Sequence, residues 1–178
     1  MNSRTRRAPL RLLAAAVMLT SLLAGAAAAA ANPFAGGHGN LISGGELRTF
    51  SFAVTRNADG TVTGNAEVKN RSLDVRAHIE IDCLKFEAVN RAIMSGPIIQ
   101  SSNPTLIVPG RIGVFAVEDN GEGSDAPADR ITTIPDYAPP KSCNEFALVD
   151  GTLRDAANPA VVVRTLTPIL NGNIQVQP

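Results

Sequence analysis

The stretch that decides the fold is Val75–Cys83, which reads VRAHIEIDC. Apolar and polar side chains alternate along it without a break. The apolar set is Val75, Ala77, Ile79, Ile81 and Cys83, and the polar set is Arg76, His78, Glu80 and Asp82. A period of two residues is typical of a β-strand with one buried and one solvated face. Such strands belong to antiparallel sheets, so this segment predicts an antiparallel β protein.

The same alternation continues on both sides of this strand. Residues 50–55 and 62–69 form two alternating runs, and Asn57-Ala58-Asp59-Gly60 between them is a turn sequence, which predicts a β-hairpin. Further strands are predicted at 92–99 (interrupted at Gly96-Pro97), 110–118, 130–134, 146–149, 161–163 and 174–176, with a proline-rich loop at 135–142. No window after the leader shows a helical period. The fold class is therefore all-β, an antiparallel meander that forms a small barrel, with a β-sandwich as the alternative.

The first 31 residues predict an export signal. Four arginines and no acid precede an apolar run at 12–24, and small residues end at Ala31, so we expect cleavage near Ala31 and a secreted or periplasmic protein. Arg6-Arg7 leaves both a twin-arginine signal and an ordinary basic start open. Residues 32–40 are predicted to be a flexible Gly-rich leader, and residues 41–178 a single β domain.

The amino-acid composition argues against several classes of binding partner. Removing the signal leaves 12 basic and 16 acidic residues, a net charge of −4, and no basic cluster. We therefore expect no nucleic-acid binding and no membrane span in the mature chain. Trp is absent and Tyr137 is the only tyrosine, which argues against a carbohydrate-binding module. The sequence leaves the oligomeric state and the partner, an unknown protein or cell surface, open.

The two cysteines, Cys83 and Cys143, both lie in the exported part. An even count in an oxidising compartment predicts one disulfide. Free thiols or a metal pair are the alternatives, although two cysteines this far apart make a poor zinc site.

A set of short motifs in fixed order carries a family resemblance. They are Gly44-Gly45, Phe50-Ser51-Phe52, Asp59-Gly60, Gly64, Ile81-Asp82-Cys83-Leu84, Ser95-Gly96, the loop at 117–123, Asp129-Arg130-Ile131, Cys143 and the closing segment at 172–176. Together they resemble the post-COAP family of small secreted bacterial β domains, over about residues 41–177. The resemblance implies an extracytoplasmic β module of uncharacterised role, with no catalytic residue or cofactor to carry over.

One acidic segment has the composition of a cation site. Its oxygen-bearing residues are Glu118, Asn120, Glu122, Asp125 and Asp129, and glycines at 121 and 123 allow tight turns. Closely spaced oxygen ligands are what Ca²⁺ prefers, so these residues predict a calcium site. The alternative is a polar hairpin loop in which Asp119-Asn120-Gly121 makes the turn. No other cofactor is expected.

The sequence favours a secreted non-catalytic structural or interaction module rather than an enzyme. His38 lies in the Gly-rich leader, and His78 on a polar strand face predicts a cross-strand polar pair rather than a general base. A second hypothesis is a small-molecule binder with a barrel pocket, which four phenylalanines would line unless they only fill the core. These are Phe50, Phe52, Phe86 and Phe115. A hydrolase is the third hypothesis.

Overall fold

A computed structural model of the chain describes residues 31–123, 125–137 and 141–178, with Asp136 described by its backbone alone. The predicted export signal, apart from Ala31, lies outside these residues. Within them the protein is all-β, as predicted, and its one helical element is a 3₁₀ turn at Cys143–Glu145.

Fourteen strands make up the described part of the chain. They are β1 (Phe34–Ser43), β2 (Glu46–Arg56), β3 (Val62–Asn70), β4 (Val75–Ile81), β5 (Cys83–Ala88), β6 (Arg91–Ser101), β7 (Ile112–Glu118), β8 (Arg130–Ile131), β9 (Asp136–Tyr137), β10 (Phe146–Val149), β11 (Thr152–Asp155), β12 (Val162–Thr165), β13 (Thr167–Pro168) and β14 (Asn171–Gln177).

Eleven of these strands form one antiparallel sheet in the order β13-β8-β7-β6-β4-β3-β2-β1-β14. β5 and β9 lie off this path, paired with β6 and β7. The strands at the two ends of the path, β13 and β14, are neighbours in sequence, joined by Ile169 and Leu170. The sheet is therefore strongly curled, and it forms a half-barrel whose two edges approach each other. This arrangement confirms the predicted antiparallel barrel-type fold.

The second sheet is small, with the order β10-β11-β12. It packs on the outer face of β6 and β7, where Ile93, Val114 and Ala116 meet Phe146 and other apolar side chains of the small sheet. The intervening residues of β6 and β7 face the interior of the half-barrel, where the main core lies. Both faces of β6 and β7 are buried, which explains why their sequences read as continuous apolar runs instead of alternating.

The predicted disulfide is present between Cys83 on β5 and Cys143, with their Cα atoms 5.7 Å apart. It joins the large sheet to the turn that precedes the small sheet. The bond is of the kind that forms in oxidising compartments, consistent with an extracytoplasmic location.

The prediction of a flexible leader at 32–40 is wrong, because most of this segment belongs to β1. β1 pairs with β2 along its whole length and with β14 from Phe34 to Asn40. The glycines serve close packing rather than mobility. A Cβ atom on Gly37 would lie 2.8 Å from the Asn173 carbonyl oxygen on β14 and 3.0 Å from the Phe52 ring. One on Gly39 would overlap the Asn171 carbonyl oxygen and lie 3.2 Å from the Phe50 ring. Glycine here gives the aromatic rings of β2 room to lie against the β1 backbone.

The predicted interruption at Gly96-Pro97 is also wrong, since β6 runs through it to Ser101. Gly96 has no room for a side chain, because a Cβ atom would overlap the carbonyl oxygen of Glu80 on the neighbouring strand. β4 and β5 flank Asp82 and pair with successive halves of β6. The glycine therefore permits close approach where the sheet bends.

Candidate functional site

The acidic segment predicted as a calcium site lies between β7 and β8. Glu118 ends β7, and its side chain is only 8% exposed. It accepts a hydrogen bond of 2.8 Å from Arg91 Nε and lies 3.8 Å from the Arg130 guanidinium. Arg91 and Arg130 are its partners in register on the two flanking strands. Glu118 therefore serves a cross-strand ion-pair network in the sheet.

Asp129 and Asp119 bind the edge of β14. Asp129 Oδ2 accepts a hydrogen bond of 2.8 Å from the Ile174 amide, and its Oδ1 accepts one of 2.8 Å from the Asn120 amide. Asp119 Oδ2 accepts a hydrogen bond of 3.0 Å from the Val176 amide. We call this contact, made by Asp119 and Asp129 to Ile174 and Val176, the seam. It joins the two edges of the half-barrel through carboxylates instead of a strand ladder.

The other predicted ligands point to different partners. Glu122 Oε1 accepts a hydrogen bond of 2.8 Å from the Asn173 side chain, and Asn120 Nδ2 donates one of 2.8 Å to the Ala128 carbonyl. Asp125 lies in an exposed turn. Among the described residues, no three His, Cys, Asp or Glu side chains gather closely enough to hold a metal ion. Calcium binding by this loop stays a prediction, and the loop's visible role is structural.

A cavity of about 250 Å³ lies on the interior face of the half-barrel. Most of the residues that line it are apolar, although polar atoms contribute as much of the exposed wall as apolar atoms do. The lining comes from β2, β3, β4, β6 and β12, the turn after β3, and the loops after β6 and β8. The lining residues are Arg48, Val68, Asn70, Leu73, Val75, Ala77, Ile79, Ile98, Leu106, Ile107, Ile134, Pro135 and Arg164. Two of these residues, Leu73 and Leu106, are each 55% exposed, so the cavity is open to solvent.

Strand register explains why the walls are apolar. Phe50, Val68 and Ala77 form one cross-strand row, and Phe52, Ala66 and Ile79 form the next. Side chains in a row point to the same face of the sheet. Moving along β2 towards its start, the next interior position after Phe50 is Arg48, whose partner on β3 is Asn70. The next row, Leu41, Arg48, Asn70 and Val75, therefore places two polar side chains between apolar ones at the mouth of the cavity.

Arg48 is held at this mouth by Glu46. Its NH2 group donates a hydrogen bond of 2.9 Å to Glu46 Oε2, and the side-chain Nδ2 of Asn70 donates one of 2.7 Å to the same oxygen. Arg48 Nε is buried and has no acceptor among the described residues. The guanidinium is thus oriented by one carboxylate and keeps a donor unused.

Arg164 on β12 brings a second guanidinium to the cavity. Its Nε donates to Thr133 Oγ1 at 3.1 Å, and its NH1 donates to the Val163 carbonyl at 2.8 Å. The positive charge of Arg164 also affects the pKa of Tyr137. Burial raises the pKa of the Tyr137 phenol above its usual value, and Arg164 partly opposes that rise.

The phenylalanines expected to line a pocket do not line this one. Phe50, Phe52 and Phe115 are buried in the core, where the Phe52 and Phe115 rings meet edge to face at 5.4 Å. Phe86 is partly buried, with the Arg56 guanidinium 5.6 Å from its ring centre. The sequence signal for the true cavity was Arg48, which falls on the same alternating face as Phe50. It was missed because the predicted strand began at Phe50.

The histidines are surface residues of the sheet. His78 lies opposite Glu67 in the register of β3 and β4, with Nδ1 3.9 Å from Glu67 Oε2. This is the cross-strand polar pair predicted for His78. His38 is exposed on β1.

Comparison of the chain with protein-family models, with curated proteins and with solved structures found no match. The resemblance to the post-COAP family therefore stays a prediction. In the part of the chain that the structure describes, no helix is long and apolar enough to cross a lipid bilayer.

Proposed function

We propose that the protein is a secreted, non-catalytic module that binds a small apolar molecule in the cavity of its half-barrel. The cavity itself carries this proposal. It is concave and open to solvent, and it is lined by apolar residues together with the polar groups of Arg48, Asn70 and Arg164, which is the usual composition of a small-molecule site. Small barrels that bind a ligand also do so in their interior or mouth.

Three features support the proposed location. They are the predicted export signal at 1–31, the Cys83–Cys143 disulfide and the post-COAP resemblance. A purely structural or interaction module was the first hypothesis from the sequence. We place ligand binding ahead of it because an open apolar cavity exposes surface that a ligand would cover.

The size of the cavity limits the ligand. A dry cavity of about 150 Å³ accommodates benzene, so a volume of about 250 Å³ suits a molecule of about ten non-hydrogen atoms. Octan-1-ol is a suitable neutral probe. Titration with octan-1-ol, followed by methyl NMR, should shift the signals of Ile79 and Ile98 and leave that of Ile93, which faces the small sheet, in place.

Two matched variants locate the binding. Ala77→Phe fills the cavity and should abolish the shifts, whereas Ala53→Phe adds the same ring on the exposed face of β2 and should leave them unchanged. The wild-type shifts alone decide the proposal if Ala77→Phe fails to fold. No shift of Ile79 and Ile98, or equal shifts throughout the core, would refute it.

A further inference from the structure

Resting on the proposed function, we infer that the ligand carries an anionic group, a carboxylate in the simplest case, which Arg48 binds at the mouth of the cavity with Arg164 adding charge. The ligand class is then a small apolar molecule with one acidic end. Three observations carry this inference: the orientation of Arg48, its unused donor and the charge of the lining.

Arg48 lies on the interior face of β2, with its side chain 26% exposed. It lies opposite Leu41 on β1 and Asn70 on β3, and Leu41 is 2% exposed. A cationic side chain on the apolar face of a sheet is rare without a partner, because desolvation of the charge costs free energy. Glu46 supplies one partner and fixes the direction of the guanidinium.

The Arg48 Nε–H group has no acceptor among the described residues, although the atom is buried. Buried donors in native proteins nearly always have partners. Three more buried atoms of the described residues lack a hydrogen-bond partner, on Glu87, Ser95 and Arg154, and the Glu87 atom is in an ion pair with Lys85. None of these three residues lines the cavity. Among these four residues, Arg48 is the one that lines the open cavity. A carboxylate oxygen suits a guanidinium donor better than a neutral acceptor does.

The charge of the lining has the same sign. Two arginines contribute to it, and none of the lining side chains that the structure describes is acidic. Glu46 offsets the positive charge of Arg48, and Arg164 leaves the lining with one positive charge in excess. An anionic end would be drawn to this mouth, with its apolar part against Ile79 and Ile98.

The experiment compares octanoate with octanamide, which has the same number of non-hydrogen atoms and no charge. We expect calorimetry at neutral pH and low salt to show octanoate binding at least tenfold more tightly. Arg48→Met should bring the two affinities within about twofold. Arg76→Met removes an arginine from the exposed face of β4 and should preserve the preference.

A second measurement does not depend on any variant. The Arg48 Nε–H resonance of the wild-type protein should shift strongly with octanoate and weakly with octanamide. Equal affinity of the two probes, or a preference for octanoate that survives Arg48→Met, would overturn the inference and leave the proposed apolar site standing. If octan-1-ol, octanoate and octanamide all fail to bind, the proposed function itself is refuted.

Discussion

The seam and the mouth of the cavity are two places where charged groups turn inwards, and they differ in how those groups are satisfied. At the seam, both oxygens of Asp129 accept hydrogen bonds from backbone amides. At the mouth, Arg48 donates to Glu46 through one nitrogen while its buried Nε lacks an acceptor. A charge whose partners all come from the chain holds the fold together, whereas a buried donor left over is available to a ligand.

The seam exists because β14 is an edge strand. Its outward amides at Ile174 and Val176 would lack partners, because the opposite end of the sheet consists only of the two-residue strands β8 and β13. An unpaired strand edge also invites aggregation. Carboxylates from the loop between β7 and β8 complete the hydrogen bonds that a longer strand would have made.

The largest predicted loss of stability comes from removing the disulfide, and this loss should leave ligand binding unchanged. Replacing both Cys83 and Cys143 with Ala should lower the free energy of unfolding by about 4 kcal/mol, because the disulfide closes a loop of about 60 residues. Denaturant unfolding measures the loss. The octan-1-ol affinity of the folded double variant should stay within twofold of wild type. A large loss of affinity would mean that the small sheet shapes the cavity and that the two regions are not independent.

The second effect acts on the seam alone. Asp129→Ala should lower the free energy of unfolding by about 3 kcal/mol, because two hydrogen bonds to a charged acceptor are lost and the Ile174 amide is left unpaired. Thermal and denaturant unfolding measure the change, and Glu80→Ala on the exposed face of β4 is the control. Octanoate affinity should not change. Equal stability of the two variants would show that the seam is not structural.

The third effect tests the strand beside the seam. Gly37→Ala should cost about 1–3 kcal/mol, because its Cβ atom would lie 2.8 Å from the Asn173 carbonyl oxygen and 3.0 Å from the Phe52 ring and the Ile174 side chain. His38→Ala, exposed on the same strand, should change the free energy of unfolding by less than about 0.5 kcal/mol. If Gly37→Ala is as harmless as His38→Ala, β1 is not packed as described.

The smallest effect contrasts the partly exposed ion pair of Lys141 and Asp155 with the buried Asp129 of the seam. Lys141 Nζ lies 2.8 Å from Asp155 Oδ2, and this contact lowers the pKa of Asp155 and raises the pKa of Lys141. The pair should therefore stabilise the fold between the two pKa values. Its contribution is lost as pH falls through the lowered pKa of Asp155, and also as pH rises through the raised pKa of Lys141.

The pH dependence of melting temperature checks this pair. Asp155→Asn should flatten the curve slightly at both extremes, and high salt should reduce the difference from wild type. Asp129→Ala should keep its effect in high salt, because the seam is buried. A salt-sensitive seam would contradict the comparison.

Much of the fold could be predicted from the sequence, because alternation in β2, β3 and β4 follows directly from one buried face. β1 was missed because a Gly-rich stretch is typical of both mobility and tight packing, and only the rings of Phe50 and Phe52 decide between them. The disulfide was predicted correctly because the compartment and an even cysteine count suffice.

The sites were harder to predict than the fold. The residues from Glu118 to Asp129 show where oxygen atoms cluster in the sequence, but not which N–H groups donate hydrogen bonds to them. The donor to Asp129 is the amide of Ile174, which lies 45 residues later in the sequence. The cavity depends on strands β3, β4 and β6 together with later loops, so no local motif marks it. Arg48 on the apolar face of β2 was the one local clue.

The most direct test of the account is a crystal structure of the protein with octanoate. We expect the octanoate carboxylate within hydrogen-bond distance of Arg48 Nε and the hydrocarbon chain against Ile79 and Ile98, with the Asp129 contacts to Ile174 and Asn120 unchanged. Octanoate bound elsewhere, or its carboxylate in solvent while Arg48 Nε keeps no partner, would contradict the account.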